Sequence, residues 1–531
     1  MKKKNFCYIF IAVVLTMVSL ASCNDVWESH YNDSTIVNKS SLNLYEYIKT
    51  QPDLSIFTQM LQITGYDSIL SKPQTYTVWA PVNNALQGIN MSDTAVITEI
   101  VQNHISRFSY PTSGLSSKII YMLDKKFISF SRGDNGFTFG GKLLLNTKSN
   151  VAASNGILHQ IDGYVPYLTN IWEFIGKADG LDSVRAYLYS QSVYEFDPKA
   201  SVEIGTNEFG QSIYDSIITF SNPVLSKIGF LHVEDSTYTA LLPNNAAWIK
   251  AYNRIKPNYK TLDKDGGATQ QRLNTQYAIV NNLIFRKLVT DPGSVEPLIS
   301  TTGSVFTTPA YLFEGSTKSV LSNGLVYTTD SIRFKAADSY QQKIKVEAEN
   351  SSYGRASRYA SLSVLSSKGS SLSDSVSGSK YLVVYPTTVS NNSQNSVTFP
   401  LPNVLSGKYN IYCVFVPASV ITPGDTKANK VKFFFNHLDA TGKQAIDTVV
   451  TVANKLVTTA GSAGIFATYP SMMTKVFVTQ FTFPFCNLYG ENSTNASIVN
   501  KLRVENVVKI TETVLFDRTM RIDYIVLEPA Q

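Results

Sequence analysis

Thr75-Tyr76-Thr77-Val78-Trp79-Ala80-Pro81-Val82-Asn83-Asn84-Ala85-Leu86 is the stretch on which the fold turns. β-Branched and aromatic residues from Thr75 to Ala80 favour a strand. Pro81 stops the ladder, and Asn83 and Asn84 start a turn or cap a following helix. Upstream, residues 42–70 have helical periodicity, with Leu44, Tyr47 and Ile48 on one stripe and Ile56, Phe57, Met60, Leu61 and Ile63 on another. Downstream, Asn103-His104-Ile105 reads as part of an apolar-periodic helix, and strand-like runs follow at 127–130, 137–139 and 143–145. The stretch from Val151 to Asp162 contains Asn155-Gly156 between apolar runs, the strongest short hairpin signal.

These landmarks resemble the fasciclin-type domain. That family has a strand-and-turn motif of the form Tyr-Thr-Val-Phe-Ala-Pro-Thr-Asn-Xaa-Ala-Phe, which matches Tyr76 to Leu86. It has a central histidine, matched by His104, and a closing Asn-Gly-Xaa-Xaa-His-Xaa-Ile-Asp, matched by Asn155 to Asp162. The resemblance implies an α/β domain over 42–168. The pattern then repeats imperfectly. Tyr238-Thr239-Ala240-Leu241-Leu242-Pro243-Asn244-Asn245 echoes the first motif, Val280-Asn281-Asn282-Leu283-Ile284 the central one, and Asn323 to Asp330 the closing hairpin. Residues 169–338 therefore resemble a second, divergent domain of the same type, with Asn282 in the place of His104 and Tyr327 in that of His159.

From about Lys343 short alternating runs and Ser/Gly-rich turns predict an all-β domain over 339–531, a sandwich or jelly roll. Tyr409 to Val416, Val431 to Phe435 and Ile522 to Leu527 are its clearest strands, and 366–379 reads as a loop. The opening Val346-Glu347-Ala348-Glu349, the middle run Pro402 to Tyr409 and the closing Ile522-Asp523-Tyr524-Ile525 loosely resemble jelly-roll carbohydrate-binding modules. The fold class expected is multidomain α+β: two fasciclin-like α/β domains, then a β-sandwich.

The chain begins with Lys2, Lys3 and Lys4, an apolar stretch from Phe6 to Leu20, and Ala21-Ser22-Cys23. A basic start, an apolar core and small residues before the cut mark a secretory signal. With a cysteine after the small residues, the segment resembles a bacterial lipoprotein signal over 1–22, with Cys23 as the lipidated residue and 23–41 as a polar tether. This implies a protein anchored in the outer membrane by its lipid and exposed at the cell surface. No second run of roughly 18 apolar residues follows, so no membrane span is expected.

The formal net charge is +6. Three lysines leave with the signal, which brings the remainder to about +3 and offers no dense basic run, so nucleic acid is not an expected partner. Of the four cysteines, Cys413 and Cys486 remain after Cys7 and Cys23 are set aside. They pair as a disulfide or stay as two buried thiols.

No G-x-S-x-G, H-E-x-x-H, Walker or G-x-G-x-x-G motif occurs, and the five histidines are not at ligand spacing. The expectation is a protein that is not an enzyme. His104 is either a landmark near an adhesive region, as the resemblance implies, or a buried ring that fixes a turn. Glu347 and Glu349 share a strand face. By the resemblance to jelly-roll carbohydrate-binding modules they form, with Asp523, a structural calcium site; otherwise they are a solvated face or pair with Arg355 or Arg358. Tyr353, Arg355, Arg358 and Tyr359 lie in a polar loop-like run, where rings and guanidinium groups suit sugar hydroxyls and carboxylates. The function expected is capture of an extracellular glycan without catalysis, in the manner of surface lipoproteins of polysaccharide-degrading bacteria. The alternatives are a structural spacer or protein-adhesion scaffold, and a polysaccharide hydrolase or lyase with its site in the C-terminal domain.

Overall fold

The computed structural model describes residues 38–206, 212–215, 217–294, 297–388, 390–448, 464–490 and 494–530. The expected signal peptide, Cys23 and most of the tether lie outside these. Among the described residues no helix is long and apolar enough to cross a membrane. The chain divides into two compact units: 1–174 with 231–237 and 320–324, and the remainder, 175–230, 238–319 and 325–531.

The opening motif forms the strand Tyr76–Pro81, buried along its whole length. It pairs in parallel with Gly156–Ile161 and antiparallel with Ile105–Arg107. The five-stranded sheet runs Asn38–Lys39, Val151–Ala153, Gly156–Ile161, Tyr76–Pro81, Ile105–Arg107. Asn38 and Lys39, counted with the tether in the sequence, thus add an edge strand to the domain. Period-two alternation explains the burial. Val78 and Ala80 face a core shared with Leu44, Ile48, Phe57 and Leu61 of the helices Leu44–Lys49 and Ser55–Thr64. Trp79 and Ile161 face a second core with Ile120, Phe130 and Phe139 of the four-stranded sheet spanning 117–143.

Asn103-His104-Ile105 is not helical. The helix Thr94–Gln102 ends at Asn103, and Ile105 already belongs to a strand. The apolar periodicity reads through the boundary because Ile100, Val101 and Ile105 are all core residues. The hairpin is where Asn-Gly predicts it. Buried Asn155 accepts from Leu44 N at 2.8 Å and donates to Leu70 O and Lys72 O, both at 2.8 Å. Gly156 has φ +155°, and a Cβ there would stand 1.9 Å from Tyr76 O, so only glycine lets the two strands pair.

The second module repeats this wiring. Its sheet runs Ile284–Phe285, Tyr238–Pro243, Gly324–Thr329, Thr317–Leu321, the order of the equivalent strands in the first. Thr77 Oγ1 donates to Phe108 O and accepts from Tyr110 N; Thr239 Oγ1 does the same with Lys287 O and Val289 N. Asn323 accepts from Ile171 N and donates to Leu231 O and Val233 O, as Asn155 does with its three partners. The Tyr327 hydroxyl reaches Val289 O at 2.8 Å where His159 Nε2 reaches Tyr110 O at 2.9 Å.

The register corrects one equivalence. Val78 opposes Ile105 and Ala240 opposes Ile284, so Leu283 stands in the place of His104, and Asn282 in that of Asn103. The expected counterpart, Asn282, lies one residue before that position. The second module also carries strands absent from the first, Val193–Phe196 with Ile218–Ser221 and Val202–Thr206 with Ser212–Asp215.

Residues 344–529 form two antiparallel sheets around one core. One sheet runs Ala360–Ser366, Lys380–Pro386, Met520–Pro529, Gly407–Phe415, Thr474–Phe483, with Ile344–Glu347 also on Met520–Pro529. The other runs Ala356–Arg358, Ser396–Pro400, Lys501–Asn506, Lys430–Leu438, Gln444–Thr448. The expected sandwich is therefore present. Cys413 and Cys486 are free thiols, Cys413 fully buried. Within the second unit a seam joins the sandwich to residues 258–261. Ser406 N donates to Asn258 O at 2.8 Å, Asn258 Nδ2 returns to Ser406 O at 3.1 Å, and Cys486 N donates to Lys260 O at 2.8 Å.

Candidate functional site

The loop after Ile344–Glu347 decides where a site can form. Gly354, at φ +72°, turns the chain so that Tyr353 and Arg355 stand beside the strand Ser396–Pro400. A Cβ on Gly354 would press on the Asn495 side-chain amide at 2.9 Å. Asn495, with its amide turned to donate, reaches Tyr353 O at 3.1 Å and ties the loop down. The Tyr353 ring meets the Tyr489 ring edge-on at 5.2 Å. The result is a pocket of about 270 Å³ lined by Tyr353, Gly354, Arg355, Thr398, Asn495 and Lys501, with Ala356, Pro400 and Ala496 completing the wall. Arg355 Nη1 donates to Ala348 O, which anchors its guanidinium.

Of the four residues expected to bind a ligand, the structure brings Tyr353 and Arg355 together and leaves two out. Arg358 and Tyr359 are exposed and pair with each other, the guanidinium 4.9 Å from the ring centroid, away from the pocket lining. Arg358 ends the short strand Ala356–Arg358 that leads away from Arg355, so one polar run serves two places. Sequence reading missed Lys501 and Asn495. Both lie far along the chain, and only the pairing of Ser396–Pro400 with Lys501–Asn506 brings Lys501 to the pocket.

Glu347, Glu349 and Asp523 do share one neighbourhood. Asp523 is fully buried, accepts from Ser377 N at 3.1 Å, and is pushed up to about 6 by burial and by the charges of Glu347 and Glu349. Burial also raises Glu349. Glu347 Oε2 and Glu349 Oε2 are buried without a hydrogen-bond partner. These are hard oxygen donors, as calcium requires, but their positions do not fit. Among the described residues no three Asp, Glu, His or Cys side chains converge to hold a metal ion. The Lys345 ammonium stands 2.8 Å from Glu347 Oε1, and Ser377 Oγ donates to the same oxygen at 2.7 Å. In this structure the positive charge facing Glu347 is the Lys345 ammonium, with a hydroxyl donor from Ser377 of the 366–379 loop beside it. Among the described residues neither Arg355 nor Arg358 forms a close ion pair with these acids, although the charge of Glu349 acts on Arg355.

The fasciclin-like part holds its titratable groups as structure. His104 Nδ1 donates to Ile100 O at 2.7 Å and Nε2 accepts from Val165 N at 2.9 Å. His159 Nδ1 accepts from Asn150 N and Nε2 donates to Tyr110 O. Both rings are satisfied as neutral imidazoles, and burial brings both down to about 4. His104 is therefore the buried ring that fixes a turn. In the same unit Lys126, 3% exposed, binds Glu173 at 2.8 Å and Glu234 at 2.6 Å, while burial pushes nearby Asp124 up to about 6.

Comparison with known proteins bears on the first of these regions. Residues 52–165 match the Fasciclin domain family. The match covers the strand Tyr76–Pro81, both buried histidines and the Asn-Gly hairpin. Fasciclin domains are generally adhesion-related. Among curated proteins the chain is 33% identical over 104 residues to Fasciclin-like arabinogalactan protein 14 of Arabidopsis thaliana, across 19% of this chain and 41% of that protein. The chain thus spans about two-fifths of the length of the relative it matches. Among solved structures, a FAS1 domain pair from the insect cell adhesion molecule Fasciclin I aligns over 54% of this chain and 98% of its own, at 13% identity and a TM-score of 0.20. The C-terminal family 22 carbohydrate-binding module of Clostridium thermocellum Xyn10B aligns over 35% and 92%, at 13% identity and a TM-score of 0.20.

Proposed function

We propose that this chain is a lipid-anchored protein of a bacterial outer membrane that captures an extracellular glycan at the sandwich pocket, without catalysis. The pocket carries the reading: Tyr353 and Arg355 on a loop braced by Asn495, with Lys501 on a neighbouring strand, are suited to a sugar's face and its oxygens. Binding groups on a rigid scaffold's loops are the usual arrangement for recognition. The adhesion-related Fasciclin domain supports a role outside the cell. The second module is a divergent fasciclin domain in this reading, supported by the repeated threonine and asparagine hydrogen bonds. Lys2 to Cys23 support the anchor.

Electrophoresis of the purified protein through gels containing polysaccharides tests the glycan reading. Retardation that is lost in Tyr353→Ala, with no oligosaccharide released, is the expected result. Released product would favour the hydrolase or lyase reading. Migration unchanged in every gel would favour a spacer or a protein-adhesion scaffold. Labelling with a radioactive fatty acid should mark the protein and spare Cys23→Ser; an unmarked wild-type protein overturns the anchor.

A further inference from the structure

The charges around the pocket narrow its ligand, on the premise that the pocket binds glycan. Of its nine lining residues two are cationic, Arg355 and Lys501, and none is acidic. Elsewhere in the sandwich four cations of similar burial are ion-paired, Lys345 with Glu347, Lys430 with Glu512, Arg503 with Glu505 and Arg521 with Asp517, whereas Arg518, among the described residues, is held by backbone carbonyls alone. Among the described residues neither Arg355 nor Lys501 has a carboxylate within 4.0 Å, the distance that defines those pairs. Glu349 is the acid that acts on Arg355 electrostatically, from outside the lining. Arg355 is held through Nη1 to Ala348 O, which leaves the rest of its planar fork for another acceptor.

Two half-buried, unpaired cations in one concavity create a local positive potential that a neutral sugar would not use. The size matters as well. At about 270 Å³ the pocket is below the ~300–1,000 Å³ of sites for drug-sized ligands, which suits one sugar ring rather than a length of chain. A planar carboxylate matches a guanidinium fork in geometry.

We propose that the pocket selects a single uronic acid residue of a glycan, its carboxylate taken by Arg355 and Lys501 and its ring set against Tyr353. A sulfate ester offers similar charge without the planar match, so the test separates the two.

Isothermal titration of the full chain would compare polygalacturonate, the same polymer fully methyl-esterified, and a sulfated galactan. Polygalacturonate should bind, with affinity falling as salt rises, and the ester should bind at least tenfold more weakly. Lys501→Gln should weaken polygalacturonate binding about tenfold, the worth of one charge-assisted hydrogen bond. Lys501 lies on the outer side of its strand, so this variant should keep the wild-type melting temperature, which serves as its folding control. Equal binding of acid and ester, or an unchanged Lys501→Gln, overturns the uronate assignment and leaves glycan capture standing. Binding of the sulfated galactan alone also overturns it. Absence of binding to all three and to neutral polysaccharides overturns both.

Discussion

His104 and His159 each hold two backbone groups with a neutral ring, and each has a pKa brought down to about 4 by burial. In the unfolded chain they would titrate near 6.5. The unfolded state therefore binds the extra protons, and stability is lost as pH falls from about 6.5 to about 4. At 1.36 kcal/mol per pH unit this amounts to about 3 kcal/mol for each histidine. Asp523 in the second unit has the opposite sign. Its folded pKa of about 6 lies above the usual 3.8, so its contribution weakens as pH rises between those values. Urea unfolding followed by hydrogen exchange from pH 4 to 7 should show the Fasciclin domain losing protection toward acid. Asp523→Asn should raise the sandwich's stability at pH 7 and leave the first unit unchanged. The acidic trio could be read in the sequence, but the lysine that pairs with Glu347 could not. Lys345 is an ordinary strand lysine until Ser377 comes in from a loop that the sequence shows only as serine-rich.

At the scale of elements, the most legible feature was the Asn-Gly hairpin, because its requirement is local. Gly156 must accept φ +155° and Asn155 must serve three backbone groups. The same asparagine work recurs at Asn323, where the surrounding sequence has drifted. Asn155→Ala and Asn323→Ala should therefore cost similar amounts, each about 1–3 kcal/mol by leaving buried backbone groups unpaired. Chemical denaturation of each variant would measure this, and a negligible loss for Asn323→Ala would deny the duplication at that site. Helix ends were less legible. The apolar period runs from Ile97 through Ile105 although the helix stops at Gln102, since a strand residue entering the same core continues the pattern. The one-residue misalignment of His104 arose in the same place. Strand register, which the chain writes only in three dimensions, decides that Leu283 is its counterpart.

Across the whole chain, sequence texture separates an α/β region from an all-β one, and the structure has both. It does not reveal that 175–230, 238–319 and the sandwich belong to one compact unit. The seam between them is built from Asn258, Lys260 and Ser406, polar residues whose partners lie well over a hundred positions away. Cys486 sits in that seam, with Thr261 Oγ1 3.5 Å from its sulfur and its thiol pushed up by burial. A half-shielded, poorly ionised thiol reacts slowly with iodoacetamide until its cover lifts. Its alkylation rate thus becomes a built-in clock for how often the sandwich parts from its neighbour, with the sealed Cys413 as an internal blank. Asn258→Ala should quicken the modification of Cys486 alone, and mass spectrometry of the two cysteine peptides would time it.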